Sequence, residues 1–180
     1  MATRQRRIGK SFVWGAILLG LGACGDRIAP RIYDPGIVHE ETGAFPLGEI
    51  GSFSGPDGAQ ALAFHSGFQR AIEECNAKGG AQGRRIELVV LDDRGLPTDT
   101  HMGVKRLSGP SGAVAIACSS SEECLKAARE AASELAVVAP QPGADAQARG
   151  YATAQHLLAV FERVPKILPP EVAAELAAGP

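Results

Sequence analysis

From residue 47 to residue 139 the apolar positions alternate between two periods, one fitting strands and the other helices. Glu49 to Phe53 is a short apolar-containing run that stops at Ser54-Gly55-Pro56-Asp57-Gly58, a cluster of turn formers. The pattern then changes. Ala61, Phe64, Phe68, Ala71, Ile72 and Cys75 recur at helical spacing, with Gln69, Arg70, Glu73 and Glu74 on the opposite side. Asp57 is placed to cap this helix, with Gln60 three residues on, and Asn76-Ala77-Lys78-Gly79-Gly80 closes it. Ile86 to Leu91 is nearly continuous aliphatic sequence, as expected of a parallel strand covered on both faces. The stretch therefore predicts a strand–helix–strand unit.

The alternation continues. Arg94 to Pro97 forms a loop, and a helix from Thr98 to Ser108 carries an inner stripe of Thr100, Val104 and Leu107. Gly109-Pro110-Ser111-Gly112 breaks it, and Ala113 to Ala117 reads as a third strand ending in Cys118-Ser119-Ser120-Ser121. The next helix, Ser121 to Leu135, turns Cys124, Leu125, Ala128, Ala131 and Leu135 inward and Lys126, Arg129 and Glu130 outward. Ser119 and Ser120 each precede a Glu by three residues, so a capping box fits either register. Ala136 to Ala139 is a fourth strand, stopped by Pro140-Gln141-Pro142-Gly143. Strands and helices in strict alternation predict an α/β fold, a parallel doubly wound sheet whose ligands meet the carboxyl ends of the strands. Tyr151 to Val164 predicts an amphipathic helix, with Leu157, Leu158, Phe161 and Val164 on its apolar side. Glu171 to Ala178 predicts a last short one.

Composition changes the picture mainly at the start of the chain. The 180 residues are 45% hydrophobic and 21% charged, ordinary globular values with room for one domain. Arg4, Arg6, Arg7 and Lys10 all fall within the first 23 positions, which hold no acid, so their removal takes the net charge from −2 to −6. An acidic product argues against nucleic acid as a partner, since phosphate is bound by Lys and Arg. Ser11 to Ala23 is an apolar run too short to cross a bilayer comfortably and reads as a secretory signal. Residues 24–46, with Pro30, Pro35 and Pro46 and no sustained period, read as a tether.

Ser54-Gly55-Pro56, then eighteen residues, then Cys75-Asn76-Ala77-Lys78-Gly79-Gly80, Gly83 and the run into Asp92-Asp93 carry a specific resemblance. In these residues the chain resembles the bacterial periplasmic solute-binding proteins of the leucine/isoleucine/valine-binding type, the extracellular ligand-binding receptor family with the type I periplasmic binding fold. Such proteins have two α/β lobes around a cleft. The resemblance implies an N-terminal lobe over 47–150 and a helical C-terminal segment over 151–180 with no recognisable second lobe, hence a single truncated lobe. Leu21-Gly22-Ala23-Cys24 resembles a bacterial lipoprotein signal, which implies a signal peptide over 1–23 and lipidation of Cys24. Together these imply an exported, membrane-anchored lipoprotein facing the periplasm or cell exterior. Its function would be the solute-binding component of an ABC-type importer for branched-chain-like amino acids or other small carboxylates, delivering to an ABC permease. It would be no enzyme and would need no cofactor. The competing reading is an envelope regulatory or scaffolding protein that uses the lobe to bind a protein partner.

The strand ends supply the candidate ligand-binding residues: Ser54, Gly55, Ser119, Ser120, Ser121 and Gly143. Hydroxyls and N–H groups at a helix N-terminus favour a carboxylate. The match at Cys118-Ser119-Ser120-Ser121 implies that Ser119 holds the ligand's α-carboxylate, with Ser54 on the opposite wall; serines here also serve as plain N-caps whatever the function. Two departures bear on the ligand. Gln141-Pro142-Gly143 lacks the threonine that amino-acid-binding relatives use, and Gln60 stands where they often have an aromatic. Catalytic readings find little support. The four histidines, His39, His65, His101 and His156, show no metal-ligand spacing, and the glycines spell no nucleotide fingerprint. Asp92 and Asp93, adjacent at a strand end, point to opposite faces and read as loop-fixing carboxylates. In an exported protein the remaining cysteines are open to pairing. Some relatives join the Cys before the serines to one in the loop after the second strand, but that loop here is Arg94-Gly95-Leu96; a Cys118–Cys124 bridge stays open, and Cys75 reads as a core residue.

Overall fold

The structure, a computed structural model, describes residues 43–109, 112–119 and 121–179. Its first strand, β1 (Phe45–Gly51), begins earlier and ends sooner than the hydrophobic run suggests, so Phe45 and Pro46 belong to the sheet and not to the tether. Pro46 is tolerated because of alternation. The Phe45 N–H donates to Arg85 O on one side, so the nitrogen of Pro46 faces the other side, where pairing with the third strand starts only at Gly48 opposite Ile116. At the far end Ser52 and Phe53 leave the ladder, and the Gly55 N–H turns back onto Ser52 O.

Helix α1 (Gly58–Ala77) follows, then β2 (Ile86–Asp92), α2 (Pro97–Ser108), β3 (Ala115–Cys118), α3 (Glu122–Ala131), β4 (Ala136–Val138), α4 (Ala146–Arg163) and α5 (Pro169–Ala178). The strands pair in parallel in the order β2-β1-β3-β4, as the alternation predicts. Phe45 and Leu47 face α1, α4 and α5 across a core that includes Phe64, Phe68, Leu157, Phe161 and Val172. Ile50 faces the other way, into a second core with Val104, Leu107, Ile116, Cys124 and Ala128 from α2, β3 and α3. One sheet thus has helices on both faces, and β1, buried along its whole length, is its centre.

Several local expectations are corrected. Asp57 stands at the N-cap of α1, but its side chain makes no capping bond. For α3 the cap is neither Ser119 nor Ser120 but Ser121, whose hydroxyl accepts from the Cys124 N–H at 3.1 Å. That helix stops at Ala131 because the chain must straighten into β4, and Leu135 is buried beyond its end. Helix α4 starts before Tyr151: Asp145 caps it by accepting from the Ala148 N–H at 2.7 Å, and Gly150 lies inside it.

Candidate functional site

The carboxyl ends of β1, β2, β3 and β4 open onto one edge of the sheet. The β1–α1 turn is tied to the β2–α2 turn there. The Ser54 hydroxyl donates to Asp92 Oδ2 at 2.5 Å, and the Ser54 and Arg94 N–H groups both donate to Asp92 Oδ1. Burial alone would push the Asp92 carboxyl up, but the hydrogen bonds from Ser54, Arg94 and Phe53 outweigh it and hold the group below its ordinary value. Asp93 points inward, accepting from the Ser52 hydroxyl at 2.8 Å, the Thr100 hydroxyl at 2.9 Å and the Gly95 N–H at 2.9 Å. The two aspartates therefore fix loops from opposite faces, as their adjacency implies.

Gly55 sits in this junction, where an added Cβ would come within 3.0 Å of the Arg94 backbone. Ser119, at the end of β3, is 1% exposed. Its N–H donates to Ile50 O at 2.9 Å and its hydroxyl donates to the same oxygen at 3.3 Å. A Cβ on Gly51 would fall 1.9 Å from that hydroxyl, so only glycine lets the serine lie so close to β1. Ser121 is half-buried and engaged as the α3 cap. Gly143 lies exposed in the turn after β4, close against the backbone of Ala148 and Arg149 in the first turn of α4. Ser54 and Gly55 are thus brought together with Asp92, and Ser119 with Gly51, whereas Gly143 is engaged by α4. Ser120 and Cys24 fall outside the described residues.

The sequence reading missed a buried acid–imidazole pair just below this edge. Glu49, fully buried in β1, meets His65 of α1 at 2.7 Å, with the edge of the Phe53 ring system packed against the imidazole. Burial pushes the Glu49 carboxyl up, and the hydrogen bond to Glu49 raises His65. Among the described residues Glu49 Oε1 finds no hydrogen-bond partner. A glutamate inside an otherwise apolar central strand, sixteen positions before a histidine on the buried face of the next helix, was the available signal. Among the described residues no cluster of three His, Cys, Asp or Glu is disposed to hold a metal ion, and no helix is long and apolar enough to cross a membrane.

Residues 45–141 match the family model of the periplasmic binding proteins. The chain belongs to this family. It is a family of binding proteins, not of enzymes, and its proteins act in the periplasm. Solved structures similar to the chain include the branched-chain amino acid transporter substrate-binding protein of Streptococcus pneumoniae in complex with isoleucine, at 25% identity and TM-score 0.45 over 56% of this chain and 30% of that one. Others are an ABC transporter protein of Rhodopseudomonas palustris (19%, TM-score 0.49, 56% and 31%) and an ABC transporter substrate-binding protein of Desulfitobacterium hafniense in complex with leucine (22%, TM-score 0.42, 54% and 28%). The chain spans less than a third of the length of these three proteins. No curated protein matches it.

Proposed function

We propose that this periplasmic binding protein captures an amino acid or another small carboxylate for an ABC-type importer, and that the solute sits at the carboxyl edge of the sheet between the Ser54–Gly55 turn and the start of α3. The observation that carries this reading is the convergence at that edge of Ser54, Asp92, Ser119 and the N-terminus of α3 in a chain whose family binds solutes. The first N–H groups of α3 have no intrahelical acceptor and favour a carboxylate. Asp92, held ionised, supplies the negative counterpart for an ammonium group. The Ser119 hydroxyl is a second donor to a carbonyl that its own N–H already satisfies, so it can rotate to a solute without orphaning Ile50 O.

The test is an amide titration by NMR with leucine, isoleucine and simple carboxylates. The amides of Ser54, Gly55, Asp57 and Gly58 and those of residues 119–124 are expected to shift together. Solute capture fails as a reading if they stay still at tens of millimolar, or roughly −2 to −3 kcal/mol of binding. A partner-binding role would then take its place. Membrane anchoring through Cys24 is part of the same proposal, because several acyl chains on one residue hold a folded domain at a bilayer far better than one. Cys24→Ser is expected to move the protein from the membrane fraction to the soluble one.

A further inference from the structure

We propose that Cys118 and Cys124 are a disulfide site, oxidised to tie the carboxyl end of β3 to the first turn of α3. Both are buried free thiols, 0% and 4% exposed. In the β1–β3 ladder Ile50 is the partner of Cys118, and paired residues of parallel strands turn their side chains to the same face. Cys124 reaches that position from above, its thiol donating to Ile50 O at 3.9 Å. Both side chains lie in the one core between the sheet and α2 and α3, where the Cys118 thiol is the neighbour that raises Cys124 most. Cys75 packs against the core on the opposite face of the sheet, so the fold leaves one pairing among the described cysteines.

The oxidant is an external disulfide, either a small one such as oxidised glutathione or that of a thiol oxidase. One cysteine thiolate attacks it, forming a mixed disulfide and expelling one thiolate; the second cysteine then attacks the mixed disulfide and expels the other. Two electrons pass to the oxidant, and the two protons lost from the cysteines end on the two released thiols. With α3 docked, the Cys118 thiol and burial push Cys124 far above the usual thiol range, so attack is slow in the closed fold. The exchange therefore proceeds while the chain folds, before α3 docks. The periplasm, where the family works, is a compartment in which disulfides form and persist. Once made, the bridge fixes the turn that carries Ser119 and Ser121, whatever that turn binds.

The full chain is unfolded, refolded in reduced and oxidised glutathione, alkylated and digested. Both cysteines fall in one tryptic peptide, Leu107 to Lys126. That peptide is expected to lack two hydrogens and any alkyl group, and cutting after Glu122 should leave two halves joined until reductant is added. Tm is expected to rise by about 5 °C, reversibly with reductant, given the entropy removed from the unfolded loop. Cys118→Ser and Cys124→Ser should each abolish that rise, and the wild-type peptide map stands on its own if either variant does not fold. Alkylation of both cysteines after refolding, or a bridge involving Cys75, overturns the proposal.

Discussion

At the scale of single residues, the largest departure from a plain α/β lobe is the Glu49–His65 pair. A charge in the middle of a central strand is costly unless paired, and among the described residues one oxygen of this carboxylate finds no partner. Both groups have raised pKa values, so above pH 4.5 the folded protein binds more protons than the unfolded chain, whose Glu49 and His65 titrate at 4.5 and 6.5. Stability contributed by the pair is therefore complete at low pH and is lost as the pH rises through the folded values. Asp92 acts with the opposite sign: lowered from 3.8, it adds stability that disappears only as the pH falls below that value. Urea midpoints measured across this range should decline toward alkaline pH. In Glu49→Val with His65→Leu the decline should flatten, with stability unchanged or raised by about 1–4 kcal/mol, because apolar packing replaces a buried polar pair. An unaltered slope in the double variant would show that the pair does not control the pH dependence. Reading the sequence places both residues correctly on β1 and α1 but not against each other, because contact across an element boundary leaves no periodic trace.

At the scale of elements, the strands, helices and their order are legible from the apolar periods, and the errors cluster where a polar or small residue is used inside an element. Helix α4 is the clearest case. Its first turn, Ala146-Gln147-Ala148-Arg149-Gly150, has no large apolar residue, yet it packs backbone to backbone against α1. A Cβ on Gly150 would fall 2.0 Å from Phe64 O, and one on Gly67 of α1 would fall 1.9 Å from Gln147 O. Each helix thus offers a glycine to the other's backbone, and the missing side chains allow a contact that no hydrophobic count detects. Gly67→Ala and Gly150→Ala are each expected to destabilise by about 1–3 kcal/mol, since the helices must separate or shift. That is a Tm lower by roughly 2–10 °C for a chain of this size. Thermal melts of the two variants check it; a melt matching the wild type would mean that α1 and α4 are free to move apart. Ser121→Ala should cost about 1 kcal/mol through loss of the α3 cap.

At the scale of the whole molecule, the doubly wound architecture and the carboxyl edge of its sheet follow from the sequence, while the hydrogen bonding along that edge does not. The serines were legible as strand-end residues, but whether each hydroxyl is free depends on partners distant in the chain: Asp92 for Ser54 and Ile50 O for Ser119. Binding must therefore exchange existing hydrogen bonds for new ones. The net gain per contact is then small. For the solute capture proposed above, an affinity near 1 mM, or about −4 kcal/mol, is expected from such exchanged bonds. Within that small total Ser119 should matter out of proportion, because its charge-assisted bond to a carboxylate is worth about 1.5–3 kcal/mol and its internal bond is redundant. Ser119→Ala is expected to weaken leucine or a simple carboxylate at least tenfold, read as a lower initial slope of the amide shifts against concentration. The fold should be untouched, since the Ser119 N–H remains on Ile50 O. Ser54→Ala should behave differently: it removes a bond that holds the Asp92 carboxylate in place, and binding should weaken more for a zwitterionic amino acid than for a simple carboxylate. Equal slopes for Ser119→Ala and wild type would place the carboxylate elsewhere along the sheet edge.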